Sequence, residues 1–163
     1  MVRRKEAKIA SLVLTVAVLL LQCLDVPLEN VGLSGDSPVY ARFLYPFFHA
    51  NMLHAAINCW CLLSVVFIYD VSLAAMAVSY LVAVLYPIGF FSPDALPTVG
   101  LSGVCYTLMG RVAFCVRERW KYQLYVLSYI AVGFLLPGFN GCLHLYCYIA
   151  GLLVGFLNKP IRR

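Results

Sequence analysis

Charge is what this chain has least of. Of its 163 residues only 12 are Lys or Arg and 7 are Asp or Glu, 12% in all, about half the fraction typical of a soluble domain. With 63% hydrophobic residues and a mean hydropathy of +0.89, this scarcity excludes a water-soluble globular domain and points to an all-α membrane protein. The seven cysteines (Cys23, Cys59, Cys61, Cys105, Cys115, Cys142, Cys147) lack any paired C-x-x-C spacing. That removes the signal of a zinc site or a disulfide framework and leaves the thiols as small packing residues. No metal and no other cofactor is expected. The few basic residues form no patch away from the ends of apolar runs, so no nucleic-acid partner is expected either. Internal repeats, low-complexity tracts and a soluble second domain are also missing, so 1–163 reads as one domain.

What is there is a series of apolar runs at about 8–24, 43–69, 71–91, 99–116, 122–137 and 141–157, each near the ~17 to 25 residues that cross a hydrocarbon core as helix. They predict a bundle of six transmembrane helices in a lipid bilayer. Arg3-Arg4-Lys5 precedes the first run as in a secretory leader, but Leu21-Gln22-Cys23-Leu24-Asp25 offers no small-x-small cleavage site, so this run reads as a retained helix. Basic residues set the orientation. Arg3, Arg4, Lys5 and Lys8 precede span one, Arg117, Arg119 and Lys121 separate spans four and five, and Lys159, Arg162 and Arg163 follow span six. The opposite loops carry Asp25, Glu29, Asp36 and Asp94 against only Arg42. By the positive-inside rule both termini face the cytoplasm.

Ionisable and strongly polar groups inside hydrocarbon need a physical reason, and here they gather in three places. The first is His49 to Asn58, HANMLHAAIN. His54 and Asn58 are four apart, share a helix face and can donate two side-chain hydrogen bonds to one oxygen; the plainer reading is an interhelical hydrogen bond that holds the bundle together. His49 lies off that face and reads as structural, capping or bridging to the loop after span one. The second is Gly100-Leu-Ser102-Gly103, entered from the loop SPDALPT. It places Ser102 at a helix N-terminus, where free N–H groups and the helix dipole favour an anion, one half of an oxyanion hole. Gly100 and Gly103 allow the tight turn and close approach that a substrate carbonyl needs, although small-residue packing explains them equally. Tyr106 lies one turn below Ser102. The third is His144, at the same outer end of span six. A serine hydroxyl becomes a useful nucleophile when a base takes its proton, and histidine suits that role. No acid falls near enough to complete a triad, so any catalysis here is by a Ser/His dyad.

The combination His49-x4-His54-x3-Asn58, Gly100-x-Ser102-Gly103 with Tyr106, and a histidine with Gly151-x3-Gly155 in span six resembles the rhomboid family of intramembrane serine proteases over residues 43 to 157. The resemblance implies a six-transmembrane-helix rhomboid-like bundle with a water-filled cavity open to the outer face. It implies Ser102 as nucleophile, an oxyanion hole of His54, Asn58 and the Ser102 N–H, and Tyr106 packed on the catalytic imidazole. Gly151 and Gly155 would bring span six close to span four. The implied partners are transmembrane protein substrates, cleaved near their outer membrane boundary. The short length fits a prokaryotic plasma (inner) membrane protein.

The chain departs from the family pattern at the base. His-x-x-Gly-x-x-x-Gly puts Tyr148 in the histidine's place and His144 four residues earlier, a shift of about 5 to 6 Å along the helix that keeps the same face. Two accounts follow. In one, His144 is the base and Tyr148 lines the cavity; in the other, Tyr148 replaces the base and the protein is an inactive pseudoprotease that binds transmembrane helices. The first is favoured, because Ser102, the two glycines and the His54/Asn58 pair are costly in a membrane unless they serve chemistry, and tyrosine is a poor base near neutral pH. A small transporter or channel would leave Gly-Leu-Ser-Gly unexplained, and no inverted repeat supports it. The loop Val26 to Arg42 is also short for the family and lacks its Trp-Arg pair, which bears on substrate access rather than on the chemistry.

Overall fold

The computed structural model describes residues 2–88 and 97–157, and the side chains from Arg4 onward. Asp94, Lys159, Arg162 and Arg163, on which the expected orientation partly rests, lie outside the described residues, as does the end of the run predicted over 71–91. The described chain is helical: α1 (Val2–Leu21), single turns α2 (Leu28–Val31) and α3 (Ala41–Leu44), a 3-10 turn (Tyr45–Phe47), then α4 (Met52–Ile68), α5 (Leu73–Val84), α6 (Ser102–Val112), α7 (Arg119–Leu135) and α8 (Gly141–Leu157).

Two of these helices start where a side chain caps them, inside the apolar runs that contain them. Asn51 opens α4 by accepting the His54 N–H at 2.9 Å, and Ser72 opens α5 by accepting the Ala75 N–H at 3.3 Å. Such caps satisfy first-turn N–H groups that otherwise have no partner. The run predicted over 43–69 is broken: Ala41–Phe47 and Met52–Ile68 meet at 88°, with Pro46 in the 3-10 turn and the Asn51 cap fixing the restart. The fifth run begins earlier than predicted, at Arg119 rather than 122, because Arg, Trp and Lys are competent helix formers that a hydropathy pattern leaves out. Among the described residues no single helix is long and apolar enough to cross a membrane by itself, and only the bent pair passes that test as a unit. At ~1.5 Å per residue the 17-residue α8 is slightly shorter than a ~30 Å hydrocarbon core.

The interior is organised around α6, which packs against α4, α5 and most extensively α8; α1 lies outside on α4 and α5, and α7 leans on α8. Leu62, Leu101, Leu108, Leu143 and Cys147 are fully buried between them. The outward faces are equally apolar. Val13, Leu20, Ile57, Trp60, Leu124, Leu135, Leu153 and Phe156 are exposed, whereas His49, Asn58, Ser79, Thr107 and His144 are buried. Apolar outside and polar inside is the arrangement suited to a hydrocarbon surround.

The α6–α8 contact depends on glycine. A Cβ on Gly151 would collide with the Thr107 carbonyl oxygen, one on Gly110 with the Tyr148 carbonyl oxygen, and one on Gly155 would lie 2.5 Å from the Arg111 carbonyl oxygen. Two backbones therefore touch along about two turns of α8, which carries the start of α8 beside the start of α6. On the other side Tyr45 reaches α5, its Oη donating to the Ala83 carbonyl at 2.8 Å, and Arg42 donates to the Tyr86 carbonyl at 2.8 Å just past the same helix. The segment after α1 is held by an isolated antiparallel bridge between Leu33 and Thr98.

Candidate active site

The chain enters α6 through Gly100, whose φ of +117° is a conformation that residues with a Cβ rarely adopt. The glycine also leaves room for two imidazoles: a Cβ there would lie 3.0 Å from His54 Cε1 and 3.3 Å from His49 Cδ2. The turn is pinned from both sides, with the Gly100 N–H donating to the Tyr45 carbonyl at 2.9 Å and the Leu101 N–H donating to His49 Nε2 at 3.1 Å. Ser102 is then the first residue of α6, so its own N–H belongs to the first-turn donors that a helix cannot use internally. His49, expected to be structural, capping or bridging to the loop after span one, accepts the N–H of the residue before Ser102 at the start of α6. Its partner lies 52 residues away, beyond the reach of any local pattern.

His144 stands one turn into α8. That helix begins at Gly141 and is capped by Asn140, whose Oδ1 accepts the Leu143 N–H at 2.9 Å. Asn140 also donates through Nδ2 to Thr98 Oγ1 at 3.0 Å and accepts from Tyr86 Oη at 3.4 Å. It thus fixes the top of α8 to the segment leading into α6. Sequence reading missed this residue; an Asn three positions before Leu143 at the head of an apolar run is a capping signal that would have found it.

With both helix starts fixed, His144 Nε2 and Ser102 Oγ come to 3.0 Å. The histidine is 7% exposed, and Tyr106, one turn into α6, stacks on its ring at 4.4 Å between centroids and 25° between planes. For Nε2 to accept the serine proton, the imidazole proton must sit on Nδ1. That nitrogen is buried with no partner among the described residues and faces Gly133 of α7, where a Cβ would lie 3.2 Å away. Among the described residues no carboxylate joins this arrangement.

His54 and Asn58 share the predicted face but are engaged differently. His54 Nδ1 accepts the Ala50 N–H at 3.5 Å, which leaves Nε2 as the protonated nitrogen, beside Gly100. Asn58 turns its amide back on its own helix, Nδ2 donating to the His54 carbonyl at 3.1 Å, while its backbone carbonyl accepts from Cys105 Sγ at 3.6 Å.

Tyr148 corrects one expectation. It does not line the cavity: it is 1% exposed, packs with Val126, Ile130, Tyr106 and Met109, and donates its hydroxyl to Gln123 Oε1 of α7. The same α7 segment is tied to α6 by Tyr122, whose Oη donates to the Met109 carbonyl at 2.9 Å. Gly103, finally, seats α6 between Ala83 and Cys147, with a Cβ there 3.1 and 3.3 Å from their side chains.

Comparison with known families places one model on this chain: a Rhomboid domain, matched over residues 36–161, from just before α3 to beyond α8 and including every residue of the site. No curated protein matches the chain.

Proposed function

Because the chain belongs to the rhomboid family, and is therefore an integral membrane protein, we propose that it is an intramembrane serine endopeptidase in which Ser102 and His144 form the catalytic dyad. The observation that carries this reading is the 3.0 Å approach of His144 Nε2 to Ser102 Oγ, within the ~2.6 to 3.2 Å that a general base needs. His144 takes the hydroxyl proton as Ser102 Oγ forms its bond to the scissile carbonyl carbon. The negative charge that develops on the carbonyl oxygen is met by the Ser102 N–H at the α6 N-terminus and by His54 Nε2–H. Asn58 joins them if its amide leaves the His54 carbonyl when substrate arrives. The imidazolium, with no carboxylate beside it among the described residues, is stabilised by the face of Tyr106. It then returns the proton to the leaving amine as the C–N bond breaks, and water releases the acyl group from Ser102 by the same steps in reverse order.

The substrate in this account is a transmembrane helix with a segment weak enough to unwind, since an intact helix keeps its carbonyls in its own hydrogen bonds. The chain itself crosses the bilayer six times with both termini on the cytoplasmic side, and Ser102 near the opposite face. Against the alternative, an inactive helix-binding pseudoprotease, stands the engagement of Tyr148 with Gln123, which keeps that ring out of the base's position. The test is cleavage of a single-span model substrate by protein reconstituted in liposomes. Ser102→Ala and His144→Ala should each abolish cleavage in folded protein; cleavage surviving either substitution would overturn the proposal.

A further inference from the structure

At the end of the bundle opposite Ser102, the ends of α6 and α8, the start of α7 and the turn between α4 and α5 line an open cavity of about 1500 Å³. Its lining is basic: Arg4, Arg111, Arg117, Arg119 and Lys121 against Asp70 and Glu118. Both acids are already engaged. Asp70 binds Lys8 at 2.7 Å and Arg4 at 3.6 Å, and Glu118 binds Lys121 at 2.6 Å. Arg119 donates to the Phe114 carbonyl at 3.0 Å. Among the described residues this leaves Arg111 and Arg117 with no acidic partner, facing one space. The first turn of α7 opens at the same place with no side-chain cap on its N–H groups.

Membrane orientation accounts for basic residues at this end of the bundle, Arg111 in the last turn of α6 among them, but it does not account for two guanidinium groups without acidic partners on one cavity. We propose that this cavity binds the phosphodiester headgroup of an anionic phospholipid, held by Arg111 and Arg117. Guanidinium groups match phosphate oxygens in planar, two-pronged contacts, and basic cavities between membrane helices are suited to such headgroups. A lipid rather than a soluble phosphate is indicated by the rim. Trp120 is 89% exposed there, as befits an indole at the depth of the headgroups. The exposed ring of Phe156 lies 6.2 Å from that of Phe114, which also lines the cavity, an apolar shelf for an acyl chain. Because Arg111 also carries the carbonyl against which Gly155 packs, the headgroup would bind at the base of the α6–α8 contact.

Native mass spectrometry of the full chain in detergent, with phosphatidylglycerol and phosphatidylcholine added together, reads this directly. The wild type should retain phosphatidylglycerol over phosphatidylcholine by about tenfold or more. Arg111→Gln with Arg117→Gln should bring that ratio to near one, while Lys5→Gln, outside the cavity, leaves it unchanged. Should the double glutamine variant not fold, Arg111→Lys with Arg117→Lys keeps the charge but loses the two-pronged contact, and should weaken the preference severalfold. A wild-type ratio near one would overturn the proposal, and so would an equal loss in Lys5→Gln. Displacement of the lipid by millimolar inorganic phosphate would reassign the cavity to a soluble phosphate ligand.

Discussion

Gly151→Ala should separate Ser102 from His144, the proposed nucleophile and base, without touching either. The Cβ it adds meets the Thr107 carbonyl oxygen, which is backbone, so no side-chain rearrangement can relieve the collision. The neighbouring contact gives the scale: a Cβ on Gly155 would sit 2.5 Å from the Arg111 carbonyl oxygen, against an ordinary C···O separation of about 3.3 Å. One added methyl therefore pushes α6 and α8 apart by roughly 1 Å at residue 151, where the overlap is greater. The Ser102–His144 distance of 3.0 Å then grows to about 4 Å, beyond hydrogen-bond reach. A displacement of that size costs about 10²-fold in rate, and the forced packing about 1 to 3 kcal/mol in stability. The assay is cleavage of a model transmembrane substrate alongside thermal unfolding, with Leu153→Ala on the exposed face of α8 as control. If Gly151→Ala cleaves at the wild-type rate and unfolds at the wild-type temperature, the backbone contact does not set the dyad.

Other substitutions separate the roles assigned above. Tyr148→Phe should leave Gln123 without its donor and lower stability by about 1 to 2 kcal/mol while Ser102 stays reactive; thermal unfolding and serine labelling measure the two effects separately. Asn140→Ala removes the α8 cap at a cost of about 1 kcal/mol and should reduce cleavage, whereas Asn140→Asp keeps the accepting oxygen and should retain more of it. At the basic end of the bundle, Lys8 foremost and then Arg4 hold the Asp70 carboxyl below the usual carboxylate range. Its contribution to stability is thus present above the unfolded-state pKa and fades as pH falls through the lower folded-state value. The unfolding temperatures of wild type and Asp70→Asn should differ slightly near neutral pH and converge in acid, and high salt should shrink the difference because the group is exposed.

How much of this could be read beforehand varies with the distance over which each feature is decided. His54, Asn58, Ser102 and Tyr106 stand at helical spacings, so their faces were legible from the sequence. The four-residue offset of His144 from the family pattern preserved its face, and its depth was undecided because depth depends on how α8 seats on α6. Helix ends were less legible: Ser72 and Asn140 are single capping residues inside or beside apolar runs, and a hydropathy pattern does not register them. The break before Met52 lies at a cap, Asn51, within a run that reads as continuous. The bonds of Tyr148 to Gln123 and of Leu101 to His49 join residues 25 and 52 positions apart, and nothing local in either segment announces them.

Labelling with an active-site fluorophosphonate tests the central claim most directly, because it reports a serine activated by a base and needs no known substrate. The account predicts that folded wild-type protein is labelled at Ser102, and that both Ser102→Ala and His144→Ala lose the label. A folded wild type that takes no label, or a His144→Ala variant labelled as fast as wild type, would contradict it.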